Sequence, residues 1–205
     1  MTEEKYFKGT TTVGIVFEKG VVVAAEKRAT MGSFIASKEV EKIIQIADNM
    51  VVTTAGGVGD AQSLARLMRA ELELYNYSKG GSASVRGAAT FLANVLQGNK
   101  YFPYFVQIIV AGYDDSPRLF DVDLFGGLLE EKYTSTGSGS VVAFGVLDSS
   151  FKQAMKEEEA VQLAVKAVKA AIKRDSASGE GIDVVSITKE RIRRLKESEV
   201  AGISA

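Results

Sequence analysis

One uninterrupted apolar stretch, Val21-Val22-Val23-Ala24-Ala25, limits what this chain can fold into. Successive side chains of a strand point to opposite faces, so a strand with no polar residue at either parity has both faces covered. A sheet with one wet side is excluded for this segment. The preceding stretch, Thr11 to Phe17, sets Val13, Ile15 and Phe17 at alternate positions, and Glu18-Lys19-Gly20 supplies a turn, so the two stretches pair as a hairpin. After Glu26-Lys27-Arg28 the residues Ala29 to Ser33 read as a loop. A second strand pair, Lys42 to Ile46 and Met50 to Ala55, is joined at Asp48-Asn49, and Gly56-Gly57-Val58-Gly59 breaks the sheet.

Two helical stripes follow. Ala61, Leu64, Ala65, Met68, Leu72 and Tyr75 lie on one face of a helix from Asp60 to Tyr77; Val85, Ala88, Ala89, Leu92, Val95 and Leu96 lie on one face of a second, capped by Ser84 and ending at Gly98. Strands return at Phe105 to Ala111, Leu119 to Asp123 and Leu128 to Tyr133. The apolar segment Val141 to Leu147 and a helix carrying Val161, Ala164, Val165, Val168 and Ile172 form a second helix pair. Ile182 to Thr188 is the last strand, and Lys189 to Glu199 reads as a charged terminal helix. A chain of 205 residues, 46% of them hydrophobic, can bury one large core. Stacking the elements so that every apolar face is covered gives the α+β class and a four-layer αββα sandwich: two antiparallel sheets flanked by helix pairs. No repeat or linker divides it.

The chemistry is constrained by what the chain lacks. It contains no Cys and no His, which removes Ser-His-Asp triads, Cys-His pairs and His-ligated zinc. A hydroxyl whose base is the α-amine of the same residue needs neither, provided the chain is cut just before it. Gly9-Thr10 suits such a cut, since glycine leaves its carbonyl unhindered. Thr10-Thr11-Thr12 is equally a good strand start with no chemistry attached. The net charge of -1 with interspersed signs argues against a nucleic-acid or membrane surface, and no apolar run approaches the ~20 residues of a membrane span. Residues 1 to 9 lack the apolar core of a secretion signal, so a cytoplasmic location is expected. No cofactor or metal is implied, and no GxxxxGK loop is present to bind ATP.

Six stretches occur together: Gly9-Thr10-Thr11-Thr12-Val13-Gly14-Ile15, Glu26-Lys27-Arg28, Lys42, Ala55-Gly56-Gly57-Val58-Gly59-Asp60, Ser135-Thr136-Gly137-Ser138-Gly139-Ser140 and Arg174-Asp175-Ser176-Ala177-Ser178-Gly179. With them the chain, from Thr10 to about Thr188, resembles the proteasome β subunits of the archaeal type, which are N-terminal nucleophile hydrolases. The resemblance implies a threonine endopeptidase that itself needs no ATP. It also implies a seven-membered ring of homologous β subunits stacked on a second β ring, with rings of α subunits and a regulatory ATPase outside, acting on unfolded protein.

The same resemblance implies the roles. Thr10 is the nucleophile and, through its amine, the base; an α-amine has an ordinary pKa of about 7.7 to 8.0, so part of it is neutral near pH 7. Residues 1 to 9 are a propeptide removed autocatalytically, leaving 10 to 205 as one domain. Lys42 stands beside the nucleophile and Glu26 pairs with it, with Arg28 in support. Gly56 offers its N–H to the oxyanion. Ser138, Asp175 and Ser178 hold the Thr10 amine and its water. Thr11 and Thr12 read as strand residues. The pocket for the residue before the cut lies between Ala29, Val40, Ile44, Thr54 and Val58, none of them charged, so cleavage after large apolar residues is expected. Two other readings remain: an amidohydrolase of small amides, and an inert scaffold subunit of such a ring. Gly9-Thr10, Glu26 and Lys42 together argue against the scaffold.

Overall fold

A computed structural model describes residues 9–203. The first seven segments are β1 (Thr12–Phe17), β2 (Gly20–Glu26), β3 (Ala29–Met31), β4 (Phe34–Ser37), β5 (Ile43–Ala47), β6 (Met50–Gly56) and the long helix α1 (Val58–Lys79). Then come α2 (Val85–Gly98), β7 (Val106–Tyr113), β8 (Pro117–Val122), β9 (Leu128–Glu130), β10 (Tyr133–Thr136), α3 (Ser140–Ser150), α4 (Glu157–Ile172), β11 (Ile182–Thr188), β12 (Ile192–Arg194) and α5 (Glu197–Ala201). Two five-stranded sheets run β10-β1-β2-β11-β12 and β5-β6-β7-β8-β9, every pair antiparallel.

Three apolar layers separate four layers of structure. Val21, Val23 and Ala25 of β2 meet Val51 of β6 and Ile109 and Ala111 of β7 between the sheets. Val22 and Ala24, on the other face of β2, pack with Leu147 of α3 and Ala164, Val165 and Val168 of α4. Met50, Val52, Ile108 and Val110 pack with Leu64 and Met68 of α1 and with Leu92 and Leu96 of α2. This is the αββα sandwich, and it explains why β2 is apolar at both parities. The sheets approach closely at Gly14, where a Cβ would stand 2.6 Å from Leu119 Cδ1.

Three local expectations fail for physical reasons. The segment Leu128 to Tyr133 is not one strand: β9 pairs with β8 in one sheet and β10 with β1 in the other, so the chain changes sheets between Glu130 and Tyr133. Lys189 to Glu199 is not a helix. Its Ile192–Arg194 part pairs with β11 as an edge strand, and only Glu197–Ala201 is helical, because an available sheet edge overrides a weak helical preference. Ala29 to Ser33 is not all loop, since Ala29–Met31 pairs with Phe34–Ser37 in a two-stranded ribbon. Helix α2 does start as expected, the Ser84 hydroxyl accepting from Gly87 N at 3.0 Å.

Candidate active site

Thr10 and Thr11 lie just before β1, and Thr12 opens it, where the two sheets are joined by hydroxyls rather than apolar side chains. Thr12 Oγ1 is 2.7 Å from Thr136 Oγ1 and 3.0 Å from Thr53 Oγ1, linking β1 to β10 and to β6 of the other sheet. Strand ends converge here. β2 ends at Glu26 in one sheet, and Lys42 stands one residue before β5 of the other. The turn after β10 brings Ser138, and the turn after α4 brings Asp175 and Ser178.

Thr10 is only 3% exposed. Its Oγ1 donates to the Gly9 carbonyl at 2.7 Å and accepts from Lys42 Nζ at 3.1 Å. Lys42 is itself buried and gives its remaining hydrogens to Glu26 Oε1 and to the Arg28 carbonyl, the latter at 2.6 Å. All three ammonium hydrogens are thus placed. Burial pushes the Lys42 ammonium below the usual lysine range, and the Glu26 carboxylate pulls it back up. Glu26 is held in turn by main chain: Oε1 accepts from Thr11 N at 3.3 Å, and Oε2 accepts from Arg28 N at 2.7 Å and Gly179 N at 3.0 Å. A buried ion pair holds together only when its other lone pairs are satisfied, and here they are.

On the other side of Thr10, its backbone N–H donates to Ser138 Oγ at 3.2 Å. Ser138 Oγ and Ser178 Oγ both donate to Asp175 Oδ2 at 2.6 Å. Since Ser178 spends its proton on Asp175, Thr11 donates to Ser178 at 2.7 Å. Thr11 is therefore not the strand residue expected: it lies just before β1, and its hydroxyl fixes Ser178, a part that strand periodicity could not disclose. Two glycines make room. At Gly137, with φ of +91°, a Cβ would stand 2.1 Å from Thr10 O, and at Gly139 one would stand 2.0 Å from Thr11 Oγ1.

Arg28 lies in the same segment as Glu26 and touches the cluster through its main chain. Its main chain serves Glu26 and Lys42, while its guanidinium donates to Glu180 Oε1 at 2.8 Å and 3.1 Å and to Ser176 O at 2.8 Å, tying down the 176–180 turn. Gly56, with φ of +112°, ends β6 beside the cluster. A cleft next to Thr10 is lined by Ala29, Val40, Ile44, Thr54, Gly56 and Val58, so the structure brings all of the expected pocket residues together. It also adds residues that were not expected in the pocket: Ala61, Gln62 and the charged Arg28, Glu41 and Lys42. The cleft is therefore not free of charge. Glu41 is exposed and turned to Arg194, its Oε1 at 2.6 Å from Nη2. Of the expected propeptide, Gly9 is placed and residues 1 to 8 lie outside the described residues.

A buried threonine thus stands between an ammonium and a chain of hydroxyls ending on one carboxylate, in a four-layer αββα sandwich whose sequence holds no His or Cys. Comparison with known proteins identifies its relatives. The family described as "Proteasome subunit" matches residues 6–187. A "Proteasome subunit beta" of Methanocorpusculum labreanum is 54% identical over 95% of this chain and 92% of its own. Those of Archaeoglobus fulgidus and Methanosphaerula palustris are 51% and 50% identical over 100% of this chain and 97% and 98% of their own. The chain belongs to the proteasome subunit family.

Proposed function

We propose that the chain is a threonine endopeptidase subunit of the 20S core particle, a β subunit with Thr10 as nucleophile once residues 1 to 9 are removed. The observation that carries this reading is the Thr10 hydroxyl, bonded to the Gly9 carbonyl on one side and to the Lys42 ammonium on the other. In the precursor the Thr10 nitrogen is an amide and cannot act as a base. The hydroxyl oxygen adds to the Gly9 carbonyl carbon, the Gly9-Thr10 C–N bond breaks as the nitrogen takes a proton, and water hydrolyses the resulting ester. A free α-amine remains beside Ser138.

The amine then takes the hydroxyl proton as Oγ1 attacks a substrate carbonyl, and returns it to the leaving amine of the peptide. Lys42 favours the developing alkoxide and lowers the pKa of the amine, so that more of it is neutral near pH 7. Gly56 N–H serves the oxyanion, and Ser138, Asp175 and Ser178 hold the amine and the water that hydrolyses the acyl-enzyme. Ala29, Val40, Ile44 and Val58 offer a leucine or aromatic side chain an apolar seat, at roughly 1.5 to 3 kcal/mol for full burial. Cleavage is thus of the chymotrypsin-like kind. The particle is a cytoplasmic stack of two seven-membered β rings between α rings, fed with unfolded protein by a regulatory ATPase.

N-terminal sequencing of the purified assembled protein tests the reading. The expected result is a chain that begins at Thr10, with Thr10→Ala remaining full-length and inactive. Normal processing in that variant would sink the mechanism. A fluorogenic peptide series varied only at the residue before the cut tests the pocket: faster release after Arg or Glu than after Leu, Phe or Tyr rejects the apolar seat.

A further inference from the structure

We infer that Arg194, on the edge strand β12, is a positioning residue for Lys42, the centre of a charged clamp that holds Lys42 and Glu26 at their working separation. The inference rests on the peptidase reading above. Glu26 and Lys42 are buried in the site, and their sequence neighbours Lys27 and Glu41 both belong to one chain of charges, which meets the cleft at Glu41. Arg194 Nη2 donates to Glu41 Oε1 at 2.6 Å and to the Ile43 carbonyl at 2.9 Å, so one guanidinium grips both residues that flank Lys42. Its Nη1 lies 3.5 Å from Asp183 Oδ2. Asp183 stands opposite Ala25 in the β2–β11 register, and its Oδ1 lies 3.5 Å from Lys27 Nζ. Lys27 also reaches Glu197 on α5 at 2.7 Å.

The segment from Lys38 to Lys42 belongs to no strand or helix, so no continuous ladder fixes the main chain that delivers the ammonium. Val40 N donates to Lys27 O, and Lys42 O accepts from Thr54 N, both at 2.9 Å. Arg194 supplies a further hold: Nη2 serves the Glu41 carboxylate and the Ile43 carbonyl with its two hydrogens, while Nη1 of the same rigid guanidinium faces Asp183. Exposed ion pairs contribute little to global stability, so the consequence falls on geometry rather than on folding. A displaced Lys42 loosens its contact with Thr10 Oγ1.

The test uses assembled particles and a fluorogenic peptide ending in leucine. Arg194→Met is expected to lower kcat by about threefold to tenfold with KM within about twofold, as for a misplaced catalytic group. The acid limb of its kcat–pH profile moves to higher pH, because a displaced Lys42 no longer depresses the Thr10 amine. Arg194→Lys restores part of both. Unchanged kcat and acid limb in Arg194→Met overturn the clamp, whatever happens to its melting temperature. If Arg194→Met does not assemble, Glu41→Gln decides by the same two readouts. Thr10→Ala is run alongside; hydrolysis surviving in it breaks the peptidase reading, not the clamp.

Discussion

Two buried polar residues on paired strands of one sheet are treated in opposite ways. Glu26 ends β2 opposite Ile182 of β11; four residues along the same ladder, Ser186 stands opposite Val22. Glu26 accepts three main-chain N–H groups and the Lys42 ammonium. Ser186 is 1% exposed, and its Oγ finds no hydrogen-bond partner among the described residues. At the strand end the protein has built a solvation shell for a charge from its own backbone, whereas in the middle of the sheet it tolerates a small dipole among Val and Ile. The site end is organised for charge, and the sheet interior only for packing.

Breaking that shell gives the largest expected effect. Lys42→Ala removes the cation paired with Glu26 and leaves its carboxylate buried, at a stability cost of about 3 kcal/mol, softened by the three N–H donors. The fold survives, but processing and peptide hydrolysis fall by about 10³-fold or more, because the same cation is asked to stabilise the alkoxide in both. Adding Glu26→Gln should recover most of the stability and none of the activity. Melting curves and peptide assays on the two variants decide it: near-normal turnover in Lys42→Ala would make Lys42 a structural residue only. If the double variant stayed as unstable as the single one, the ion pair would not be the source of the cost.

An effect of opposite sign is expected at the other residue. Ser186→Ala removes a hydroxyl that gave up water without gaining a partner, and little volume goes with it. Stability should rise by about 1 kcal/mol, or about 3 °C in melting temperature for a chain of this size. Activity should not change. A lower melting temperature would show that the Ser186 hydroxyl is satisfied in solution and that the contrast with Glu26 is false.

What could be read in advance divides along the same line. The apolar parity of Val21 to Ala25 dictated a strand covered on both faces, and the helix stripes supplied its covers, so the four layers were legible from side-chain period alone. The Thr10, Glu26, Lys42, Ser138, Asp175 and Ser178 cluster was legible only as a set of separated motifs, since nothing in their spacing brings six residues from five segments to one point. Three features lay beyond reach because they depend on contacts distant in sequence. The split of β9 from β10 follows from which sheet edge each finds. Thr11 matters through Ser178, 167 residues away. Glu41 lines the cleft while its carboxylate is held by Arg194, 153 residues on. The terminal strand was misjudged for a related reason: Lys, Arg and Glu at high density suit an exposed helix, but the free edge of β11 takes Ile192–Arg194 first.

The smallest expected effect sharpens the comparison by placing a carboxylate between the two extremes. Asp121 on β8 is half-buried and accepts one hydrogen bond, from Thr134 Oγ1 at 2.9 Å, which ties β8 to β10 across the sheets. It lacks the shell that Glu26 has. Burial pushes its carboxyl above the usual range, Thr134 pulls it back down, and the nearby Glu131 and Asp123 push it further up. The folded protein therefore holds a proton on Asp121 at a pH where the unfolded chain has released it. The contribution of Asp121 to stability is greatest below the ordinary aspartate pKa of about 3.9 and is lost as pH rises through the higher folded value. At neutral pH the ionised group is a net cost. Asp121→Asn keeps an oxygen to accept from Thr134 and removes the charge, so it should raise the melting temperature at pH 7 by about 1 to 2 °C. The advantage should shrink to nothing as the pH is lowered toward 4. Melting temperatures of the two proteins measured across that range provide the check. A variant that is less stable at pH 7, or whose advantage grows on acidification, would mean that Asp121 is stabilised as an anion and that its setting is closer to that of Glu26 than to that of Ser186.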